Sequence, residues 1–357
     1  MKFSICIPNY NYERYLGRTI QSALDQQGAD LEIVISDNAS TDRSVEIVRG
    51  FADSRIRLSV NRCNVGFAGN LDRAARMAEG ERMLMLSSDD LMRPGALATY
   101  RALFEKLGTA AETAIATSDM EVIDSNDRLN GHVGLPKNQV WRPDDRAPEL
   151  DEVAGGPVYR VSARELLRRS LLTMQNPLQF AATVYPRSLY EAVEGYGGGR
   201  QINPDKWFHW KLLSRAETAY YIDRPLFAYR WHKSNQTALQ AGSGALKYLV
   251  DEYVSTFEMD AGILKELGLS RCDMERAFIE YDIGRHGLAV LAKGNRAQAR
   301  RIFNFGKAVY PQHARKNWKV RSLGMLLRLG PVGQRIAGAT YAHYMRSTGQ
   351  NGVSPIP

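Results

Sequence analysis

The chain has 357 residues, 44% hydrophobic and 24% charged, enough to bury a sizeable core and unlike a disordered or low-complexity protein. Its net charge of +8 is unevenly placed: no Asp or Glu follows Asp282, residues 283–357 carry 13 Lys or Arg, and the part before them balances at −5. Three cysteines (Cys6, Cys63, Cys272), odd in number and not spaced as a metal clip, exclude a disulfide framework and read as free thiols in a reducing compartment.

Phe3–Ile7 is a short apolar run closed by Pro8, the pattern of a buried strand. Tyr15–Gln26 follows with helical spacing through Leu16, Ile20, Ala23 and Leu24. Leu31–Ile35 is a second strand, ending at Ser36-Asp37-Asn38. Ser40 or Thr41 caps a helix from Asp42 to about Phe51, with Val45 and Val48 facing inward. Ile56–Val60 is a third strand, Asn70–Ala78 a helix, Met83–Leu86 a fourth strand, and Pro94–Leu107 a helix with Pro in its first turn. Strands alternating with helices predict an α/β fold with a mainly parallel, doubly wound sheet, whose ligands bind at the carboxyl ends of the strands.

The middle is less regular. Asp124–Gly156, rich in Asp, Asn, Pro and Gly, reads as a long loop or insertion; Leu178–Tyr185 reads as a strand and Gly195–Gly199 as a hinge. From Leu246 the pattern is helical, which places a boundary near Gly242–Gly244. The start of the chain shows no apolar secretion core, and no window approaches ~18 uninterrupted apolar residues. The expectation is a cytoplasmic chain.

Every predicted strand end carries similar chemistry. The first gives Pro8-Asn9-Tyr10-Asn11, the second Asp37-Asn38, the third Asn61-Arg62-Cys63-Asn64-Val65-Gly66, and the fourth Ser87-Ser88-Asp89-Asp90. A carboxylate such as Asp37 accepts a hydrogen bond from a base N–H, and Tyr10 offers a ring to pack on the base. Gly66 permits close backbone approach. Adjacent carboxylates after an apolar strand suit a hard divalent cation bridging phosphate oxygens.

The strings "SICIPNYNYERYLGRTIQSALDQQ", "EIVISDNASTD", "NVGFAGNLDRAA" and "LMLSSDDLMRPGAL", in order and at ordinary spacing, resemble the family 2 glycosyltransferases of the GT-A fold. The resemblance is close over about residues 3–120 and looser to about 240. It implies a GT-A domain over 1–242, with a nucleotide-binding half to about 120 and an acceptor half beyond it, followed by a basic, mostly helical region over 243–357. It implies that Pro8 and Tyr10 line the nucleoside, that Asp37 reads the base, and that Asn64, Gly66 and Asn70 lie beside the ribose and diphosphate. Ser87-Ser88-Asp89 occupies the place of the metal-binding Asp-x-Asp motif, with Ser87 where the family has Asp. Ser88 then joins the donor site, and Asp89, helped by Asp90, holds Mn2+ or Mg2+. "INPDKWFHWKLLSR" matches the segment that supplies the general base, which makes Asp205 the matching carboxylate, with Pro204 where Glu is common. "YRWHKSNQT" resembles a later segment that brings Arg230 to the diphosphate and His232 to the metal. The implied activity is inverting transfer of a sugar from a nucleotide-sugar, of UDP type, to the hydroxyl of a glycan or lipid-linked acceptor, in assembly of a bacterial surface glycan.

Plainer readings stand beside these. Asp37-Asn38 also fits a simple turn, Asp89-Asp90 a cap on the next helix, Asp205 a helix N-cap and His232 a structural histidine. Trp207, Phe208 and Trp210 fit a core as well as an acceptor platform. The basic tail fits a solvated face, yet Trp318, Leu323, Met325, Leu326, Leu327 and Leu329 among Arg315, Lys316, Lys319, Arg321 and Arg328 also suit an anionic membrane surface on the inner face of the cell membrane. No nucleic-acid module accompanies the charge. A nucleotidyltransferase would show a basic glycine-rich loop after the first strand, and Pro8–Tyr15 is not one. A catalytically silent binding or scaffold protein is the alternative that Ser87 and Pro204 favour.

Overall fold

A computed structural model describes residues 1–133, 140–197, 202, 204–232, 235 and 246–347. The predicted boundary at Gly242–Gly244, and Gly198 and Gly199 of the predicted hinge, lie outside them. The chain divides into two compact units: Met1–Leu167 with Asn176–His232, and Arg168–Gln175 with the chain after His232.

The first unit opens with β1 (Lys2–Asn9), α1 (Glu13–Leu24), β2 (Asp30–Asp37), α2 (Ser44–Arg49), β3 (Ile56–Val60), α3 (Gly66–Arg76) and β4 (Arg82–Met85). Next come β5 (Leu91–Met92), α4 (Ala96–Leu107), β6 (Ala114–Ile123), β7 (Leu129–Val133), α5 (Asp151–Ala154), β8 (Val158–Ser162) and α6 (Ala163–Thr173), whose residues from Arg168 on belong to the second unit. It ends with β9 (Tyr185–Pro186), α7 (Arg187–Ala192), α8 (Asp205–Arg215) and β10 (Thr218–Arg230). One sheet has the order β3-β2-β1-β4-β9, parallel except for β9. A second has the order β5-β10-β6-β7, with β8 also pairing β10. This is the mixed, mainly parallel sheet flanked by helices that the sequence predicts.

The continuous apolar run of β1 follows from its central place, since a strand covered on both faces needs apolar side chains on both. Phe3, Ile5 and Ile7 pack with Leu16 and Ile20 of α1, Ile33 and Ile35 of β2, and Leu84 of β4. Each such side chain contributes about 1.5–3 kcal/mol by leaving water. The edge strand β3 is only half-buried. One polar cluster is built at the amino ends of β1, β2 and β3: buried Glu32 accepts from Ser4 Oγ (2.6 Å), Glu79 N (2.6 Å) and Gly80 N (3.0 Å) and is paired with Lys2 and Arg57. Burial would raise its pKa, but the bonds from Ser4, Glu79 and Arg57 outweigh this and hold it below its ordinary value. Gly80 is required there, because a Cβ would meet Lys2 O and Ser4 Oγ at 2.7 Å.

Three predicted elements change. The run Leu178–Tyr185 is not a strand of its own: Val184 makes an isolated bridge to Ala116, and regular pairing is limited to β9. Its buried apolar side chains mimic a strand, but burial alone does not fix backbone pairing. The stretch read as a loop contains β7, α5 and short 3-10 turns. Neither Ser40 nor Thr41 caps α2, whose first amide, Ser44 N, donates to Asp42 Oδ1 at 3.0 Å.

In the second unit the helices are Leu246–Glu258, Ala261–Glu266, Arg271–Phe278, His286–Ala292, Arg296–Val309, Pro311–Lys316, Trp318–Arg328 and Gly330–Ser347, with a π-helical turn at Ile279–Arg285. Its interior joins the rings of Tyr253, Phe278, Phe305 and Tyr310. None of the described helices is long and apolar enough to cross a membrane.

Candidate donor and acceptor site

The strand order puts β1 between β2 and β4, and the chain leaves β1 toward β2 and β3 before crossing back to β4. The crevice outside the carboxyl ends of β1 and β4 is therefore the switch point where such sheets bind ligands. The loops that follow the strands are stitched together there. Asn38 N donates to Asn9 O and Asn61 N to Asp37 O, both at 2.8 Å. Asn11, at φ +59°, accepts from Thr41 N through its Oδ1 (2.8 Å), and Asp42 accepts from Glu13 N (2.9 Å). Pro8 lies within buried β1, and Tyr10 just beyond it is 42% exposed, a ring free to pack on a ligand.

Asp37 ends β2 opposite Asn9. Its Oδ2 accepts from Asn9 Nδ2 (2.8 Å) and Ser40 Oγ (2.7 Å), and its Oδ1 from Ser40 N (2.8 Å). A carboxylate oxygen takes about two hydrogen bonds, so Oδ1 retains capacity for a base N–H. Asn64 is exposed, and its Oδ1 accepts from Asn38 Nδ2 and Gly66 N, both at 2.9 Å. Gly66 adopts φ +80°, and a Cβ there would meet nothing within 4 Å, so the backbone at the head of α3 borders open space. Asn70 has a different place from the predicted one. It is buried, its Oδ1 accepts from Ser36 Oγ (2.8 Å) and Asn61 Nδ2 (3.0 Å), and its Nδ2 donates to Ser36 O (3.0 Å). Such a side chain ties β2, β3 and α3 together and has no edge left for a donor.

After β4 the chain runs through Ser87-Ser88-Asp89-Asp90 into β5, and α4 begins only at Ala96 with Gly95 at its N-cap, so the two carboxylates do not cap it. The hydroxyl of Thr19, within α1, shares its proton between Ser88 O (3.0 Å) and Asp90 O (2.9 Å), which fixes this turn against that helix. Ser88 is buried. Asp89 Oδ2 lies 3.0 Å from His232 Nε2, with both side chains less than a tenth exposed. Carboxylate oxygen and imidazole nitrogen at one point form a donor pair suited to Mn2+. Asp90 points elsewhere: its Oδ1 accepts from Arg230 N at 2.9 Å. Burial, then the neighbouring Asp89 charge, push its pKa well above the ordinary carboxylate range, while bonds from Arg230 N and the Ser87 hydroxyl oppose this. The serine at 87 supplies Asp90 a donor where a third carboxylate would repel it.

Arg230 also departs from its predicted role. Its side chain is fully buried, its Nε donates to Asp89 O (2.7 Å), and its Nη1 reaches Asp124 O (3.2 Å) and the carboxylate of Asp127. It braces the Asp89 turn from behind and is not open to a diphosphate.

The sequence reading passed over three residues here. Tyr15 lies with its ring 4.7 Å from that of His232 and 4.8 Å from the Arg230 guanidinium. Tyr12 has its ring 6.0 Å from that of His232, and burial and then the charges of Asp89 and Asp90 push its hydroxyl pKa far up. Asp127, at the β6–β7 turn, pairs with both Arg18 and Arg230. No local signal marks Asp127, because its partners lie 109 and 103 residues away.

Asp205 is the first residue of α8, one position inside the N-cap Pro204, so it is not the cap. Its Oδ2 lies 3.5 Å from Asn176 Nδ2, and Asn176 Oδ1 lies 2.9 Å from His209 Nδ1. Leu178 N donates to the same Oδ1 (3.3 Å), which fixes the amide orientation, and burial lowers the His209 pKa from 6.5 to about 3. His209 is therefore neutral with its proton on Nδ1, facing Asn176. A few residues on, Phe180 meets Phe67 beside Gly66 at 6.5 Å between ring centres, so the Asn176 segment reaches the donor loop. Phe208 and Trp210 are fully buried core residues, whereas Trp207 is half-buried.

Comparison with known proteins agrees with this architecture. The model of "Glycosyl transferase family 2" matches residues 4–172. An uncharacterized glycosyltransferase of Nostoc sp. is 34% identical over 294 residues, covering 76% of this chain and 80% of its own. Poly(ribitol-phosphate) β-N-acetylglucosaminyltransferase of Staphylococcus aureus is 28% identical over 176 residues, 48% of this chain and 28% of that one. The crystal structure of residues 1–349 of the same S. aureus enzyme, in complex with UDP-GlcNAc, superimposes with a TM-score of 0.62 at 18% identity, over 98% of this chain and 92% of that one, a likeness of fold.

Proposed function

Because this chain belongs to glycosyltransferase family 2, we propose that it transfers a hexosyl or N-acetylhexosaminyl group from a UDP-sugar to a hydroxyl of a glycan or lipid-linked acceptor, with inversion, in bacterial surface-glycan assembly. The observation that carries this reading is the Asp89–His232 pair, 3.0 Å apart at the carboxyl edge of the nucleotide-type sheet and braced by Arg230. The S. aureus relative bound to UDP-GlcNAc supports the choice of donor.

Asp37 and Tyr10 bind the base, and the open backbone at Gly66 with Asn64 flanks the ribose and diphosphate. Asp89 and His232 would hold Mn2+ or Mg2+, which when bound neutralises charge gathering on the departing diphosphate. Asp205 takes the acceptor proton as that oxygen bonds to the anomeric carbon and the bond to the diphosphate oxygen breaks, releasing UDP. The Asn176 amide orients the Asp205 carboxylate. The apolar side chains Trp318, Met325, Leu329, Val332 and Ile336 are exposed on a stretch without acidic residues, which supports contact with an anionic membrane surface.

The test is UDP release across a panel of UDP-sugars with Mn2+ or Mg2+ and lipid-linked acceptors. Asp205→Asn is expected to abolish turnover while keeping UDP affinity within about twofold, as befits a group that acts on the acceptor proton. Asp89→Ala is expected to remove the metal-dependent part of UDP binding in calorimetry. If no sugar nucleotide stabilises or turns over while the protein is folded, the silent-scaffold alternative stands instead.

A further inference from the structure

Away from the donor site, the helical unit gathers three ligand-type side chains at one point. Cys272 and Glu275 are three residues apart on the helix Arg271–Phe278 and so share a face. His313, on the helix Pro311–Lys316, meets both. Its Nε2 lies 2.9 Å from Glu275 Oε2 and 3.8 Å from Cys272 Sγ, and the three atoms are all within 4.8 Å of one another.

Thiol and carboxylate approach the same ring nitrogen, and this decides between two kinds of chemistry. In a nucleophilic relay the imidazole passes a proton between partners on opposite nitrogens, one the nucleophile and the other the orienting carboxylate. Here both partners sit on Nε2, so that division of roles between the two nitrogens is absent. Three lone-pair donors converging on one position is the arrangement a cation needs.

We propose that Cys272, Glu275 and His313 form a zinc site, its fourth position taken by water, that clips two helices of the C-terminal unit together. Tetrahedral zinc, with bonds of about 2.3 Å to sulfur and about 2.0–2.1 Å to nitrogen or oxygen, spaces neighbouring ligands about 3.6 Å apart for S···N and about 3.3 Å for N···O. The two separations from His313 Nε2, 3.8 and 2.9 Å, lie on either side of these values, and the thiol and carboxylate stand within 4.8 Å of each other, so rotation of the side chains brings all three onto one ion. Thiolate with imidazole selects zinc over the hard cations expected at Asp89. The thiol proton leaves to solvent as the ion binds. His313 and Glu275 are 18% and 25% exposed, and His313 also lines a cavity of about 490 Å3, so solvent reaches the site. Cys272 and His313 lie 41 residues apart, so the clip closes a long segment. The absence of a Cys-x-x-Cys pattern hid this site from the sequence, because two of its ligands are not cysteines.

The test uses the full chain, stripped with EDTA and titrated with Co2+, then with Zn2+ against a chromophoric chelator. The expected result is one equivalent of Co2+ with tetrahedral visible bands and a thiolate-to-cobalt charge-transfer band, displaced by Zn2+ and not by Mg2+. The Asp89–His232 pair has no thiolate, so that band reports this site alone. Cys272→Ser removes it, and Cys63→Ser, at the exposed thiol, leaves it intact. His313→Ala weakens Zn2+ binding by more than the roughly 10–100-fold lost when a group that only orients a ligand is removed. A cobalt complex lacking the thiolate band, or one whose band survives Cys272→Ser, overturns the proposal.

Discussion

Acidification should weaken the first unit through His209, and the size of the effect follows from its burial. The ring is 1% exposed, and its pKa falls from 6.5 to about 3 because burial penalises the charged form. Between those two values the unfolded chain binds a proton that the folded one refuses, so stability declines as pH falls below about 6.5. At pH 5.5 one such residue costs about 1.4 kcal/mol. For a domain of this size that is a drop of roughly 3–6 °C in melting temperature. His209→Asn keeps an N–H donor facing Asn176 Oδ1 and removes the titration, so its melting temperature should change less between pH 7.5 and pH 5.5 than that of the wild type. His286, in the helical unit and also lowered by burial, contributes equally to both proteins and cancels in the comparison. Thermal denaturation of both proteins at the two pH values measures the difference. If the two show the same pH dependence, His209 takes up protons freely, its neutral form is not enforced, and the orientation of Asn176 toward Asp205 loses its support.

Two further outcomes follow from close contacts. Ser87→Asp restores the family's acidic pattern but replaces the hydroxyl donor to Asp90 with a carboxylate, so it should destabilise the metal-free protein by about 1–3 kcal/mol and recover with Mn2+; equal melting temperatures in EDTA would show that Ser87 does not serve Asp90. Gly80→Ala forces a methyl to within 2.7 Å of Lys2 O and should cost about 1–3 kcal/mol, read as a lower denaturation midpoint with unchanged slope.

The sequence by itself determined the alternation of strands and helices, because a strand covered on both faces must be apolar throughout and a helix on its face must repeat every three to four residues. The strand Ile56–Val60 has the predicted limits, and β1 and β2 differ from theirs only at the ends. The sequence also led to the strand ends as the place of chemistry, since that follows from parallel topology alone. What the tertiary structure decided was the partner of each polar side chain. Asn70, Asp90 and Arg230 carry the residue types of a donor site, yet each is enclosed by hydrogen bonds to distant segments, Arg230 to Asp89 across 141 residues. Conversely Asp127 reaches the site without any motif, and Tyr12 and Tyr15, though inside the first family-like string, carry no local signal of their place beside Asp89 and His232. A hydrogen bond depends on separations of a few ångströms, which local periodicity does not encode, so residue type sets what a side chain is able to do and packing sets which of those things it does.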